Sequence, residues 1–296
     1  MTTPPLLGAA EDTTDPRLAD LARGRVAPLR HPGRWVASAI AVVLLAQFGH
    51  ALVTNRVFQW SAFGYWFFRP VIVHGLVLTL ELTGLSAAFG LVGGLVLALM
   101  RMSKSPLLQA ISWGYIWVFR SIPLIVLLLF LANVTALYDS LSLGIPFGPS
   151  FLRFNANDVL SFFVVAVLGL SLNEAAYAAE IVRSGLISVD SGQLAAAAAL
   201  GLPKWRQYRR VILPQATRTI IPAYANQLIG LLKGTSVVYI TSLLELFGEV
   251  ETQASTNSGQ IIPLLMVGTV WYIILTSALS VVQHYVERYF ARGAQR

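Results

Sequence analysis

The 296-residue chain reads as an all-α integral membrane protein with about six transmembrane helices. Three observations predict this. Of its residues, 56% are hydrophobic and 12% charged, about half the charged fraction of an ordinary soluble domain. Several apolar runs reach or exceed the roughly 20 residues that cross a bilayer. Those runs are continuous rather than alternating, which favours helices over a β-barrel.

Taken in order, residues 1–34 are polar, with Pro4, Pro5, Glu11, Asp12 and Asp15, and read as a disordered tail. The first apolar run, 35–53, begins too far along the chain for the core of a cleaved leader. It reads as an uncleaved, extra N-terminal helix. Further spans are expected at 71–100, 106–138, 158–182, 219–247 and 261–287, followed by a tail at 288–296. Runs longer than the bilayer thickness imply tilt, kinks or extension beyond it. In the third run, Arg120-Ser121-Ile122-Pro123 predicts a proline kink. Trp113, Tyr115 and Trp117 put the stretch before it at the membrane interface.

Basic residues set the orientation. With both termini cytoplasmic, the inner segments hold Arg17, Arg23, Arg25, Arg30 and Arg34, then Arg101 and Lys104. They also hold Arg183, Lys204, Arg206, Arg209, Arg210 and Arg218, and finally Arg288, Arg292 and Arg296. The outer segments hold only Arg56, Arg69 and Arg153. Topology therefore accounts for the net charge of +7, and no nucleic-acid partner is implied.

The longest inner loop contains "GQLAAAAALGLPKWRQYRRVILPQ", Gly192 to Gln215. Asp190 or Ser191 can cap a short helix whose body is Ala195 to Ala199. Gly201 can take the left-handed turn that ends it. Pro203 suits the start of a second helix, with Trp205, Tyr208 and Ile212 on one face and Arg206, Arg209 and Arg210 on another. Pro214 is expected to end that helix. The loop reads as a rigid helix–turn–helix bracket. Its flat alanine face suits either close docking on another protein or packing under the chain's own bundle, and composition does not choose between them.

Inside the apolar runs lie Glu81, Arg120, Glu174, Glu180 and Lys233. Each is costly in hydrocarbon and should face the bundle interior, a wet cavity, a partner or the headgroups. Glu81 is a candidate for contacting a substrate's ammonium group, or a structural partner of Arg120 or Lys233. Gly234, Thr235 and Ser236 after Lys233 either line the path or make a small-residue helix contact. Glu180 and Arg183 read as positioning the loop. There are no cysteines, and the four histidines are scattered without metal spacing. No His-Glu-x-x-His or Gly-x-Ser-x-Gly occurs, so neither a catalytic nor a metal site is expected.

The loop resembles the cytoplasmic signature of bacterial ABC importer permeases: Glu-Ala-Ala, three residues, Gly, nine residues, Ile, one residue, Leu-Pro. Here Ala195-Ala196-Ala197 leads at the same spacing to Gly201, then to Val211, Ile212, Leu213 and Pro214. Ala195 stands in the place of the glutamate, and Val211 in that of the isoleucine. "AAYAAEIVRSGLISVDSGQ", "VILPQA", "LLKGTSVVYITSLLEL", "GLVLTLEL" and "FRSIPLIV" are similar to segments of the polar amino-acid branch. Members of that branch often carry Asp after the lysine where this chain has Gly234.

The resemblance implies a type I ABC importer permease core over 71–287, with a coupling loop at 184–218. It implies a plasma (inner) membrane subunit that forms the path for a polar amino acid. The implied partners are ABC ATPase subunits, an extracytoplasmic solute-binding protein and a second permease, identical or homologous. The first loop helix would be the coupling helix, through Ser191, Gly192, Gln193, Ala195, Ala196, Ala197, Leu200, Gly201 and Pro214. Path candidates are Glu81, Lys233, Gly234, Thr235 and Ser236. None of Lys104, Lys204 and Lys233 follows a glycine, so the chain has no phosphate-binding P-loop. ATP and Mg would be bound by the partner ATPase, and the chain itself is not expected to be an enzyme. The alternative reading is a secondary amino-acid carrier driven by an ion gradient.

Overall fold

The computed structural model describes residues 32–138, 140–145 and 149–291. The chain divides into two compact units between Asn55 and Arg56. In the first, helix α1 (Pro32–Thr54) contains an apolar run, Gly33–Thr54, long enough to cross a membrane. The expected tail at residues 1–31, and the last five residues of the chain, lie outside the described residues.

The second unit begins with α2 (Trp60–Phe67), α3 (Pro70–Arg101), α4 (Pro106–Ser121), α5 (Leu124–Ala132) and α6 (Val134–Leu137). An antiparallel hairpin, β1 (Ser140–Gly144) and β2 (Ser150–Asn155), leads to α7 (Ala156–Val159) and α8 (Phe162–Ile187). The loop contributes α9 (Ser191–Ala199) and α10 (Lys204–Gln207), followed by α11 (Leu213–Gly234), α12 (Leu246–Thr256) and α13 (Ile261–Ala291). Four stretches cross by length and apolarity alone: Gly33–Thr54, Pro70–Arg101, Phe162–Ile187 and Ser258–Phe290. Two bent pairs make six candidate spans: α4 with α5, at 100°, and Lys204–Thr241 with α12, at 47°.

The structure corrects the sequence reading at four points. The run 106–138 is not a continuous helix with a kink: its main helices, α4 and α5, meet at 100°. Pro123 lacks an N–H and crowds the carbonyl four residues back, and it forces Ile122 out of the helical region. Ile122 (ψ 128) and Pro123 (ψ 135) are both extended, so the break is complete. The freed Phe119 carbonyl accepts from Asn173 Nδ2 at 2.9 Å. Second, Pro214 does not end the loop's second helix. Residues Tyr208–Ile212 form a π-turn, in which Leu213 N–H reaches the Tyr208 carbonyl. The widened turn accommodates the proline ring. Third, the hairpin at 140–155 falls where no strand was expected. Pro203 also caps α10 rather than opening it.

The core is built around α3 and α8. Their glycines set the spacing, since a Cβ on Gly90 would come 2.5 Å from Glu174 Cγ, and one on Gly94 2.5 Å from Ala178 Cβ. Contacts that advance together along both helices mean that α3 and α8 run parallel, with Arg101 and Ile187 at the same end. Leu82, Leu128, Leu170, Leu231 and Val238 are buried between α3, α5, α8, α11 and the 3-10 turn after α11. A second cluster joins Ile72 of α3 to Leu246 and Val250 of α12 and to Leu264 and Val267 of α13. On the outside, large apolar side chains such as Phe89 and Val92 are exposed, as suits lipid or a partner rather than water.

Candidate functional site

The bracket is built by local chemistry. Asp190 Oδ1 accepts from Gly192 N (2.7 Å) and Gln193 N (3.1 Å), satisfying orphan donors at the start of α9. At its end Gly201 takes φ +69. Gly201 N–H donates to the Ala198 carbonyl (2.9 Å) and Leu202 N–H to the Ala197 carbonyl (3.1 Å), the two bonds of a Schellman turn. Leu194 packs on Val189, Ile212 and Ala216, and Ala197, one turn on, is 4% exposed. Ser191, Gly192, Gln193, Ala195, Ala196 and Leu200 are exposed. Gln193 is tied to Gln215 by a side-chain hydrogen bond. The alanine run thus does both things its composition allowed: one stripe packs under the bundle and the opposite face is open. Of the expected coupling residues, Ala197 belongs to the packed stripe. Gly201 shapes the turn, and Pro214 is exposed in the first turn of α11.

Because the helix continues through Pro214, the second helix of the bracket and the path candidates Lys233, Gly234, Thr235 and Ser236 share one helical rod. It runs from Lys204 to Gly234 and on as a 3-10 turn to Thr241. Lys233 and Ser236 line a cavity of about 380 Å³ with Phe247, Tyr272 and Thr276. The other path candidates are placed differently. Thr235 is buried, with its hydroxyl donating to the Leu232 carbonyl at 2.7 Å, and Ser236 donates to Lys233 O at 2.8 Å. Both hydroxyls are turned back onto their own helix. A Cβ on Gly234 would meet Leu124 at an ordinary 3.5 Å, so close packing does not require that glycine. Glu81 is exposed on α3 and does not line the cavity. It forms no ion pair with Arg120 or Lys233. The ion pair among the described residues is Arg183–Glu180 at 2.8 Å, two turns before the bracket.

Two of the three buried carboxylates among the described residues, Glu174 and Glu245, complete the polar interior; the third, Glu249, is 7% exposed in the first turn of α12. Glu174, 1% exposed, was expected inside the membrane but had no partner assigned to it. Its Oε2 accepts from Gln227 Nε2 of α11 at 3.0 Å, while its Oε1 is buried without a partner. Glu245 was missed. It is fully buried in the break before α12, where Ser242 takes φ 64. Its Oε1 accepts from Gly248 N (3.0 Å), and its Oε2 from Thr79 Oγ1 (3.0 Å) and Tyr272 OH (2.9 Å). Thr79 in turn accepts from Leu246 N at 3.1 Å. Glu245 therefore staples α3, α12 and α13 together. No local signal marks it, because glutamate is not among the residues that favour the capping position.

Residues 90–294 match the family model described as "Binding-protein-dependent transport system inner membrane component". The chain belongs to this family. The arginine transport system permease protein ArgU of Corynebacterium glutamicum is 44% identical over 271 residues, covering 91% of this chain and 84% of that one. The glutamate/aspartate import permease protein GltK of Escherichia coli is 35% identical over 219 residues, covering 74% and 93%. A solved amino acid ABC transporter with histidines superposes with a TM-score of 0.64 at 31% identity, covering 74% of this chain and 94% of that one. The MetNI methionine ABC transporter, in an inward-facing form, shares the fold, with a TM-score of 0.58 at 21% identity.

This permease is therefore a transport subunit of the bacterial inner membrane and not itself an enzyme. It works with an ATPase and a binding protein, and nothing in the family or its relatives favours a secondary carrier. The permease match covers the bracket, the rod, Glu174 and Glu245. Helix α1 lies ahead of it.

Proposed function

We propose that the chain forms the translocation path of an ATP-driven importer of polar amino acids. On this reading both termini are cytoplasmic, residues 71–287 are the permease domain, and α1 is an extra span. The loop at 184–218 couples to the ATPase through the open face of α9, made by Ser191, Ala195, Ala196 and Leu200. A second permease subunit, identical or homologous, completes the path, and a solute-binding protein delivers the amino acid from outside.

The observation that carries the reading is the continuous rod from Lys204 to Thr241. It joins a docking face whose two ends are locked, by Asp190 and Gly201, to the cavity at Lys233 and Ser236. A push on α9 then moves the cavity wall without slack. The amino-acid class is supported by the printed substrates of the relatives, arginine and glutamate/aspartate. Gly234 leaves Lys233 as the charged lining residue, which suits a substrate carboxylate.

The test is reconstitution of the chain into vesicles with a candidate ABC ATPase and a candidate solute-binding protein from the same organism. Uptake of a labelled polar amino acid is expected only with ATP and binding protein together. Uptake that follows an imposed proton or sodium gradient without ATP would sink the reading.

A further inference from the structure

A cleft of about 270 Å³ between α3, α4 and α8 has Arg101, Arg120, Trp113, Trp117, Ile116 and Glu180 in its lining. Of these residues the transport reading uses only Glu180, as a structural partner of Arg183 near the loop. Arg101 closes the last turn of α3 and Arg120 the last turn of α4, so two separate elements bring guanidiniums to one space. The carboxylate in the cleft is already engaged: Glu180 Oε2 accepts from Arg183 Nε (3.1 Å) and Nη2 (2.8 Å). Arg101 and Arg120 have no carboxylate partner among the described residues. The Arg120 guanidinium sits 5.2 Å from the centre of the Tyr177 ring, which fixes it over the α8 end of the cleft.

Depth is set by two further facts. The apolar run of α3 ends at Arg101. Trp113 and Trp117 stack with ring centres 6.1 Å apart and planes 6° off parallel, yet both are more than half exposed. Exposed tryptophans beside arginines, where an apolar span ends, mark the headgroup level of a bilayer. Because α3 and α8 run parallel, the Arg101 side of the cleft lies toward the bracket end of the bundle, with Arg120 deeper, beside Tyr177. Basic pockets between spans at that level suit anionic lipid headgroups, and a guanidinium pair matches phosphate geometry.

We propose that this cleft binds a phosphate-type oxyanion carried by an anionic phospholipid, with the phosphate between Arg101 and Arg120 and the glycerol and acyl portion along Trp113 and Trp117. The proposal stands apart from the transport reading, since binding needs neither ATP nor substrate. Native mass spectrometry of the full-length chain in detergent tests it. Phosphatidylglycerol, phosphatidylcholine and inorganic phosphate are titrated separately.

Phosphatidylglycerol is expected to be retained. Phosphatidylcholine is expected to bind much more weakly, because its choline cation faces the guanidiniums, and phosphate alone to bind weakly, because it lacks the tail that the tryptophans hold. The double variant R101Q/R120Q should lose phosphatidylglycerol affinity by roughly 30-fold, about fivefold for each arginine. E180Q removes the carboxylate facing the anion and frees Arg183, so it should gain affinity by about fivefold. A misfolded protein cannot produce that gain. Unchanged phosphatidylglycerol binding in R101Q/R120Q, or no gain in E180Q, overturns the site. Inorganic phosphate binding as well as phosphatidylglycerol overturns the lipid assignment.

Discussion

The bracket from Asp190 to Gln215 and the polar interior of the bundle are held by opposite kinds of contact. In the bracket, the bonds that lock the two ends of α9 join near neighbours: Asp190 to Gly192 and Gln193, Gly201 to Ala198, Leu202 to Ala197, while the Gln193–Gln215 bond reaches from α9 to the rod. In the bundle, the fixing bonds join remote segments. Glu245 meets Thr79 and Tyr272, and Glu174 meets Gln227. The bracket is a locally folded piece set on a rod, whereas the bundle exists only once its helices have met. A defect in the bracket should therefore change what the permease does. A defect in the bundle should change whether it is folded.

The largest expected effect is at Glu245. Glu245→Ala strands the Thr79 and Tyr272 hydroxyls and the Gly248 N–H in a fully buried site. Each stranded donor costs about 1–3 kcal/mol in soluble cores, and side-chain hydrogen bonds in membrane proteins average less. We expect a loss of about 3 kcal/mol, read as a lower unfolding midpoint in a denaturing-detergent titration. Glu245→Gln keeps one carbonyl oxygen for two of the donors and turns an N–H₂ toward the third, so it should lose roughly half as much. Equal midpoints for wild type and Glu245→Ala would show that the staple is not holding the bundle.

Next comes Gly94. A Cβ there would lie 2.5 Å from Ala178 Cβ and 2.9 Å from Ala179 N. Backbone cannot yield as a flexible side chain can, so α3 and α8 must separate along their length. Gly94→Ala should cost about 2 kcal/mol by overpacking, in the same titration, with any surviving folded protein still coupled. Full stability in this variant would mean that the close α3–α8 approach is not a constraint on the bundle.

The same division decides what could be read from the sequence. The cap at Asp190 and the turn at Gly201 were legible because their partners lie within a few residues. The continuous apolar runs gave the candidate spans for the same reason, four of them unbroken and two as bent pairs. Pro214 was misread because its effect depends on whether the preceding turn has widened, and residue type does not record that. Pro123 was read as a kink but makes a complete break, since Asn173, 50 residues on, supplies the donor for the freed carbonyl. Glu81, central in its run, was the favoured membrane carboxylate, yet it is exposed, while Glu174 and Glu245 are buried. Position along a span gives depth, whereas the face a residue takes depends on neighbours such as Gly90 and Thr79 on other segments. The split of the alanine run into a packed and an open face likewise required Ile212 and Ala216 to be in place.

The smallest stability change, and the largest functional one, is expected at Gly201. At φ +69 a β-branched side chain is strained, although a Cβ there meets nothing within 4 Å. The penalty is therefore in the backbone and not in packing, about 1 kcal/mol. The chain can relieve it by opening the turn. That breaks the Leu202–Ala197 bond and lets α9 swing relative to the rod. Gly201→Val should thus leave the unfolding midpoint almost unmoved while ATP hydrolysis in the reconstituted importer proceeds without uptake. Gly201→Asn, a residue that tolerates the left-handed region, should restore most of the coupling. If Val and Asn variants couple equally well, the turn is not what transmits motion from α9, and the bracket would have to act through its packed stripe, Leu194 against Ile212 and Ala216.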